Sequence, residues 1–463
     1  LRALSDERVD VAVIGAGPGG YVSALRAAGL GASVAVIEKD VVGGTCLNRG
    51  CIPTKALLAS TGLLRAISGS REFGISVGDV RFDASVIASR SRGVVETMRK
   101  GVEDLLSHAG VRLIRGSGAL LGPDKVGVDT AGGTLTLECG AVIIATGSEW
   151  IELPGLETDG DRVITSDDAF ALDDLPGSIA IVGGGAVGCE FAEIYSALGI
   201  ETTIVEMMPQ LLPGEDAELA RRLEAALKRK GIGVASKTRV TGLERGRGPL
   251  RLLTEDGKAI EAEKIMVAVG RAPSTAGLGL EQAGVDLDGK RIAVDKRMRT
   301  GVTGIYAIGD VTGKFMLAHV ASAQGVVAAE NACGVDSEID YAAVPRCVFT
   351  SPEYAAVGMT EAEAAEAGIE ASVYKVQLGR VGRALTLGET FGLAKMTCDK
   401  QTGRVIGFHL LAPHASELLS EVSTAMAGGL TAEEVARVIH PHPTMSEIVW
   451  EAAQGSAGRP LHG

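Results

Sequence analysis

The sequence predicts an α/β protein assembled from repeated strand, glycine turn, helix and strand units, and three observations predict it. Residues 10–20, DVAVIGAGPGG, run from an apolar strand pattern through Gly15, Gly17 and Gly20 into the helical pattern YVSALRAAGLG. The same order returns at residues 179–206, IAIVGGGAVGCEFAEIYSALGIETTIVE, with Gly183, Gly185 and Gly188. Each unit closes on a second apolar strand that ends in an acid, Glu38 or Glu206, 23 positions after its first glycine. Glycine numbers 63 of 463 residues, yet it falls at turns between β-branched runs and not in tracts, which is the composition of an α/β chain.

Each element of the repeat has a chemical reason. The first glycine permits a tight turn out of the strand, the second lets backbone approach a pyrophosphate, and the third lets helix and strand pack closely. The phosphates then lie at a helix N-terminus, and the strand-end carboxylate accepts the hydroxyls of an adenosine ribose. One such motif is weak evidence, but two in phase predict two Rossmann-like dinucleotide-binding domains. Two sites imply two dinucleotides, a resident flavin (FAD) at the first and a diffusing nicotinamide (NAD) at the second. Further strand ends can approach a cofactor: Thr146 and Gly147 in VIIATGS, Gly309 and Asp310 in YAIGD, and Gly270.

Net charge is −13, and no block of like charges reads as a nucleic-acid patch. There is no run of 18 apolar residues and no signal-like start, so the expectation is a cytoplasmic protein without a membrane span. Seven cysteines, thinly spread, do not form a disulfide scaffold. Two of them, Cys46 and Cys51, stand five apart in GGTCLNRGCIPTK. On a regular helix that spacing points them about 140° apart, so a bond between them needs an irregular backbone, which Gly50 and Pro53 are expected to supply. A metal site, a structural disulfide and a redox-active dithiol beside a flavin are the competing readings. No third cysteine or histidine lies nearby, so no metal is expected. Cys139, Cys189, Cys333, Cys347 and Cys398 have no such setting and are expected to be packed thiols. Thiol chemistry also needs a proton manager, because only the thiolate attacks. The stretch HPHPTMSE brings together His440, His442 and Glu447, and a carboxylate on one imidazole nitrogen raises the basicity of the other.

The first glycine motif, the ATG strand end, YAIGD and the thiol pair together resemble the two-dinucleotide-binding flavoprotein disulfide reductases, over almost the whole chain. The resemblance implies that Cys46 is the interchange thiol that meets substrate and Cys51 the charge-transfer thiol against the flavin. It implies that Lys55 lies near the flavin N5, paired with Glu190, and that Asp310 holds the ribityl or pyrophosphate region. It makes His442 the base and Glu447 its orienter, with His440 and His319 structural. The helix FMLAHVASAQGVVAAENA resembles the one whose N-terminus faces the flavin pyrimidine.

Within the family the motifs GGTCLNRGCIPTKALL and GRPLHG are similar to those of the dihydrolipoamide dehydrogenases, with departures at Thr54, Ser351 and Met445. That resemblance implies oxidation of dihydrolipoamide, with NAD⁺ as final acceptor, on the lipoyl domains of 2-oxo acid dehydrogenase or glycine cleavage complexes. Glu206, Met207 and Met208 stand where a 2′-phosphate would need arginines, which disfavours an NADPH-linked mycothione or glutathione type. A flavin-binding scaffold with a structural disulfide is the alternative of another class. The expected division is an FAD-binding domain (1–148), an NAD-binding domain (149–272), a return segment of the first (273–342) and an α+β dimerisation domain (343–463). The thiols and His442 stand almost 400 positions apart, and the histidine lies in the expected interface domain. A homodimer with sites shared between subunits is therefore expected.

Overall fold

A computed structural model describes residues 7–462. The apolar runs of the first repeat form a parallel sheet in which Glu7–Ile14 is central, flanked by Val34–Glu38 and by the long strand Gly133–Ile144. Val34–Glu38 pairs in turn with Arg112–Arg115. The strand Gly133–Ile144 changes neighbour along its length: its first half pairs antiparallel with Lys125–Thr130, and its second half pairs parallel with Ile305–Ala307. A strand from the far side of the second repeat thus completes the first sheet. Both faces are covered, so the strands read as continuous apolar runs, and Val11, Ala12, Val13, Val36 and Ile143 are essentially inaccessible to solvent.

Four helices of this part matter for the site. They are α1 (Pro18–Gly29), α2 (Gly44–Arg49), α3 (Cys51–Gly69) and α4 (Ala84–His108). The second repeat gives another parallel sheet, in the order Gly233–Ala235, Glu201–Val205, Ser178–Val182, Lys264–Val267 and Val163–Ile164, with helices α5 (Ala186–Ala197) and α6 (Ala217–Arg229). A two-stranded ribbon, Ser148–Trp150 against Arg271–Pro273, joins the two sheets. The chain returns to the first sheet through Ile305–Ala307 and α7 (Ala318–Ala332), which packs extensively on α1. Gly325 makes that approach possible, since a Cβ there would lie 2.6 Å from the Gly19 carbonyl. The helix begins at Ala318, three residues later than the sequence pattern suggests.

The C-terminal part is a five-stranded antiparallel sheet, in the order Pro345–Val348, Glu353–Gly358, Val405–Ala412, Leu393–Asp399 and Ala371–Gln377. Helices Ala415–Ala427 and Glu447–Ser456 bury Leu419, Val422, Ile448 and Val449 against it. The architecture is mixed α/β, with parallel nucleotide-type sheets followed by an antiparallel C-terminal unit, as the sequence predicts. No helix among the described residues is long and apolar enough to cross a membrane. None of their His, Cys, Asp and Glu side chains form a group of three or more able to hold a metal ion.

Candidate active site

One cavity of about 1180 Å³ runs between the two parallel sheets, and both glycine turns open into it. The turns are built alike. Gly15 and Gly183 have φ of +103° and +115°, which a side chain would strain. A Cβ on Gly20 or Gly188 would lie 1.9 Å from the carbonyl oxygen of Gly15 or Gly183, so the third glycine of each motif is a packing requirement. A Cβ on Gly185 would meet no protein atom within 4 Å, and one on Gly17 only the Gly44 Cα at 3.9 Å. Both line the cavity, so at these two positions glycine keeps space clear for a ligand and not for the fold.

The strand-end acids are equally symmetrical. Glu38 accepts the N–H groups of Ala16 (2.7 Å) and Asp40 (2.8 Å), and Glu206 those of Gly184 and Met208 (both 2.6 Å). Each carboxylate ties its glycine turn to the residues after its own strand and still faces the cavity with lone pairs to spare. Burial raises the pKa of Glu38, offset in part by the Ala16 hydrogen bond.

The thiol pair lies at a helix break. Gly50, at φ −138° and ψ −116°, ends α2 and caps α3, so Cys46 sits on one helix and Cys51 is the first residue of the next. Gly50 alone makes the break: Pro53 stands in the first turn of α3, where an N–H has no helical partner to lose. The two sulfurs are unbonded and share a hydrogen bond. That bond and the Lys55 ammonium hold the Cys51 thiol low, at about 7, against the effect of burial. Its place at a helix N-terminus works in the same direction. Cys46 is pushed well up, by the hydrogen bond it gives to Cys51 and then by burial. The pair therefore shares its charge unequally, with the thiolate on Cys51.

Lys55 Nζ contacts both oxygens of the buried Glu190 on α5 (2.9 and 2.7 Å) and lies over the Phe349 ring. Glu190 Oε1 also accepts the Phe349 N–H (2.9 Å). Asp310 does not cap a helix; it accepts the Ser148 hydroxyl at 2.5 Å, and burial raises its pKa. Arg271 holds that serine through its Oγ (2.8 Å) and carbonyl (2.6 Å). Thr146 donates to the Ser274 carbonyl (2.8 Å), and Gly147 and Gly270, both with positive φ, directly precede the two ribbon strands and line the cavity wall. Leu317 and Ala318, at the start of α7, line it too.

His442 Nδ1 lies 2.8 Å from Glu447 Oε1, whose other oxygen accepts the Thr444 N–H (3.0 Å). Burial alone would raise the Glu447 carboxyl, but these partners hold it below its ordinary value. The carboxylate can only accept, so Nδ1 carries the hydrogen and Nε2 is left as a base. This couple is not in the cavity: the His442 side chain is 75% exposed, and no residue beyond Cys347 lines the cavity wall. His440 pairs with Glu421 (2.8 Å) and His319 with the Pro345 carbonyl (2.9 Å), both away from the thiols' hydrogen bonds.

Sequence reasoning missed four wall residues. Ser148 and Arg271 adjoin the named Gly147 and Gly270, and that adjacency was their only signal. Asp167 lines the cavity, and its Oδ1 is buried with no hydrogen-bond partner. Cys347 was expected to be an ordinary packed thiol, but it lines the cavity, with burial pushing its thiol up to about 11.

Comparison with known proteins places this geometry. Residues 9–325 match the family model "Pyridine nucleotide-disulphide oxidoreductase", and residues 344–453 match its dimerisation domain. The chain belongs to the pyridine nucleotide-disulphide oxidoreductases. This oxidoreductase is similar to the dihydrolipoyl dehydrogenase of Bacillus subtilis, at 38% identity over 98% of this chain and 99% of that one. It is 41% identical to the enzyme of that name from Halobacterium salinarum, over 98% and 97%. Among solved structures it resembles LpdA of Mycobacterium tuberculosis (TM-score 0.91, 32% identity, 97% and 99% covered). It also resembles RclA, an HOCl-induced flavoprotein disulfide reductase of Escherichia coli (TM-score 0.85, 28% identity, 96% and 99% covered). The oxidoreductase is thus a flavoprotein of the FAD- and NAD(P)-binding kind, with Cys46 and Cys51 as its redox pair and a dimerisation domain at its C-terminus. The cavity fits such cofactors: two glycine cradles left open, an acid above each, and an orphaned acceptor in the wall.

Proposed function

We propose that the protein is a dihydrolipoamide dehydrogenase that uses NAD⁺ and works as a homodimer with shared sites. The observation that carries the reading is the division of the catalytic groups: Cys46, Cys51, Lys55 and Glu190 meet at the cavity, while the His442–Glu447 couple stands exposed outside it in the dimerisation domain. A two-fold axis would bring each couple to the other subunit's thiols. The choice of substrate rests on the curated relatives named above, and the choice of NAD⁺ on Glu206, whose charge repels a 2′-phosphate. The four-part division 1–148, 149–272, 273–342 and 343–463 belongs to this reading, with the ribbon Ser148–Trp150 and Arg271–Pro273 at the first two of its three joints.

The residues would act as follows. Nε2 of His442 of the partner subunit takes a proton from one substrate thiol, and the resulting thiolate attacks Cys46 of the oxidised pair. The Cys46–Cys51 bond breaks, and Cys51 leaves as a thiolate that α3 and Lys55 stabilise. After passing that proton to solvent, Nε2 removes the second substrate proton, that sulfur attacks the first, and Cys46 leaves as a thiol by taking the proton from Nε2, closing the substrate disulfide. When bound, FAD would supply the two-electron redox chemistry that links the dithiol to NAD⁺. Glu38 would hold the FAD ribose, Asp310 its ribityl or pyrophosphate region, and Glu206 the NAD⁺ ribose; Gly15, Gly17, Gly20, Gly183, Gly185 and Gly188 would cradle the two pyrophosphates. The lipoyl domains of 2-oxo acid dehydrogenase or glycine cleavage complexes would present the substrate. The test is NAD⁺ reduction with dihydrolipoamide measured beside reduced glutathione and other thiols. Preference for dihydrolipoamide by at least about 100-fold in kcat/KM is expected; equal or better turnover of another thiol would overturn the assignment.

A further inference from the structure

Residues 206–216 join the strand Glu201–Val205 to α6 without forming strand or helix themselves. Four of them, Glu206, Met207, Met208 and Pro213, line the cavity. Two sets of contacts hold this loop. On one side it folds back on the second glycine turn: the Leu212 N–H donates to the Gly184 carbonyl (2.8 Å), and a Cβ on Gly184 would lie 2.6 Å from Leu211 Cδ2. On the other side the C-terminal sheet grips its last two residues. Arg346, on Pro345–Val348, donates to both Glu215 oxygens (2.7 and 3.1 Å), and Tyr354, on the next strand, gives its hydroxyl hydrogen to Glu215 Oε2 (2.8 Å). Lys395, on Leu393–Asp399, donates to Asp216 Oδ2 (2.5 Å). Tyr354 and Lys395 are buried, so three strands of one unit spend buried polar groups on two residues of another.

We propose that Tyr354, Arg346 and Lys395 are positioning residues for the nicotinamide nucleotide. By gripping Glu215 and Asp216 they hold the loop 207–214 in the shape that receives the adenosine end, an inference that rests on the reading of Glu206 and the second glycine turn as that nucleotide's site. A forked arginine–carboxylate pair fixes direction as well as distance. A buried ion pair adds little net stability over apolar packing, so its distinctive contribution is a single geometry. A short chain of bonds carries that geometry to the cavity. The Glu215 N–H donates to the Leu212 carbonyl (3.1 Å), and Gln210 Nε2 donates to the Glu215 carbonyl (3.0 Å). Pro213 of the wall stands between them, and the Met208 N–H ends the chain on Glu206 itself (2.6 Å). Cys46 and Cys51 hydrogen-bond to each other and Lys55 to Glu190, none of them to this loop. Loosening the grip therefore acts on nucleotide binding and spares the dithiol.

The experiment is calorimetric titration of the FAD-loaded enzyme with NAD⁺, which needs no thiol substrate. Tyr354→Phe removes one hydroxyl and keeps the ring, and Glu215→Gln removes the gripped charge. Val422→Ala serves as the control, since Val422 is buried against the same sheet but in a different core cluster from Leu211 and Leu212. Both anchor variants should raise the NAD⁺ dissociation constant at least about 5-fold. Their dithionite-reduced forms should keep the long-wavelength thiolate-to-flavin absorbance of the unmodified enzyme. Val422→Ala should bind NAD⁺ like the unmodified enzyme even where its Tm falls as far as theirs. Anchor variants with an unchanged dissociation constant, or an equal loss of binding in Val422→Ala, would overturn the proposal. Hydrogen exchange of the unmodified enzyme separates this from the reading beneath it: NAD⁺ should protect residues 183–188 and 207–214. Without that protection the second glycine turn is not the nucleotide's site and both fall. With it, an unchanged dissociation constant in the variants overturns the positioning role alone.

Discussion

Lys55 Nζ lies 2.7 Å from Glu190 Oε2, a contact that joins the thiol-bearing helix to the second glycine-motif helix across 135 residues of sequence. Glu190 is buried while the Lys55 side chain stays 32% exposed, so the acid depends on the lysine and on the Phe349 N–H for compensation. The pair has a measurable effect on Cys51. That thiol is held at about 7, in part by the Lys55 charge, so its thiolate is present above pH 7 and lost as pH falls through it. Long-wavelength absorbance of the two-electron-reduced enzyme should titrate there, and Lys55→Met should move the midpoint to higher pH. A midpoint that stays in place in the variant would dissociate the lysine from the thiolate.

The two thiols should behave differently when replaced. Cys51→Ser should keep FAD but lose both the long-wavelength absorbance and turnover, whereas Cys46→Ser should leave a thiolate on Cys51 and show that absorbance without reduction. Swapped spectra would reverse the assignment of roles, and full activity in either variant would remove the dithiol from the mechanism.

The glycine turns, the two strand-end acids and the thiol pair were legible in the sequence because each is a local pattern with a phase that can be counted. The Lys55–Glu190 contact was legible only through resemblance, since a lone lysine and a lone glutamate carry no mark of meeting. Cys347 and Asp167 were not legible. Their exposure to the cavity depends on how the antiparallel sheet and the 166–168 turn close over the parallel ones, which no spacing encodes. The same holds for the buried pair of Asp216 and Lys395, 179 residues apart.

Cofactor preference follows from Glu206. The unmodified enzyme should favour NAD⁺ over NADP⁺ by about 100-fold or more in kcat/KM, and Glu206→Ala should narrow the ratio. Because the carboxylate also holds the Gly184 and Met208 N–H groups, the variant should raise KM for NAD⁺ as well. Comparable kcat/KM for both nucleotides in the unmodified enzyme would contradict the role.

Stability should be sensitive where the nucleotide and C-terminal units meet. Asp216 accepts from Lys395 Nζ at 2.5 Å with both side chains buried, and its other oxygen caps α6. Asp216→Asn keeps the cap but leaves the ammonium without its closest partner, at a cost of about 3–5 kcal/mol. Since these partners hold the Asp216 carboxyl below its ordinary value, its contribution is present above the unfolded pKa and is lost as pH falls through the lower folded one. Calorimetry at pH 7 should therefore show a clearly lowered Tm for the variant, and an unchanged Tm would mean the pair contributes nothing.

The sharing of sites between subunits can be tested by mixing. Cys51→Ser chains and His442→Gln chains, each inactive alone, are co-expressed with different tags and the mixed dimers are isolated and assayed with dihydrolipoamide and NAD⁺. If each site takes its thiols from one chain and its base from the other, every mixed dimer holds one intact and one doubly broken site. The isolated mixed dimers should then keep roughly half of their sites active. Confirmed mixed dimers without activity would contradict the account, because they would place His442 beside its own chain's cysteines or outside the reaction.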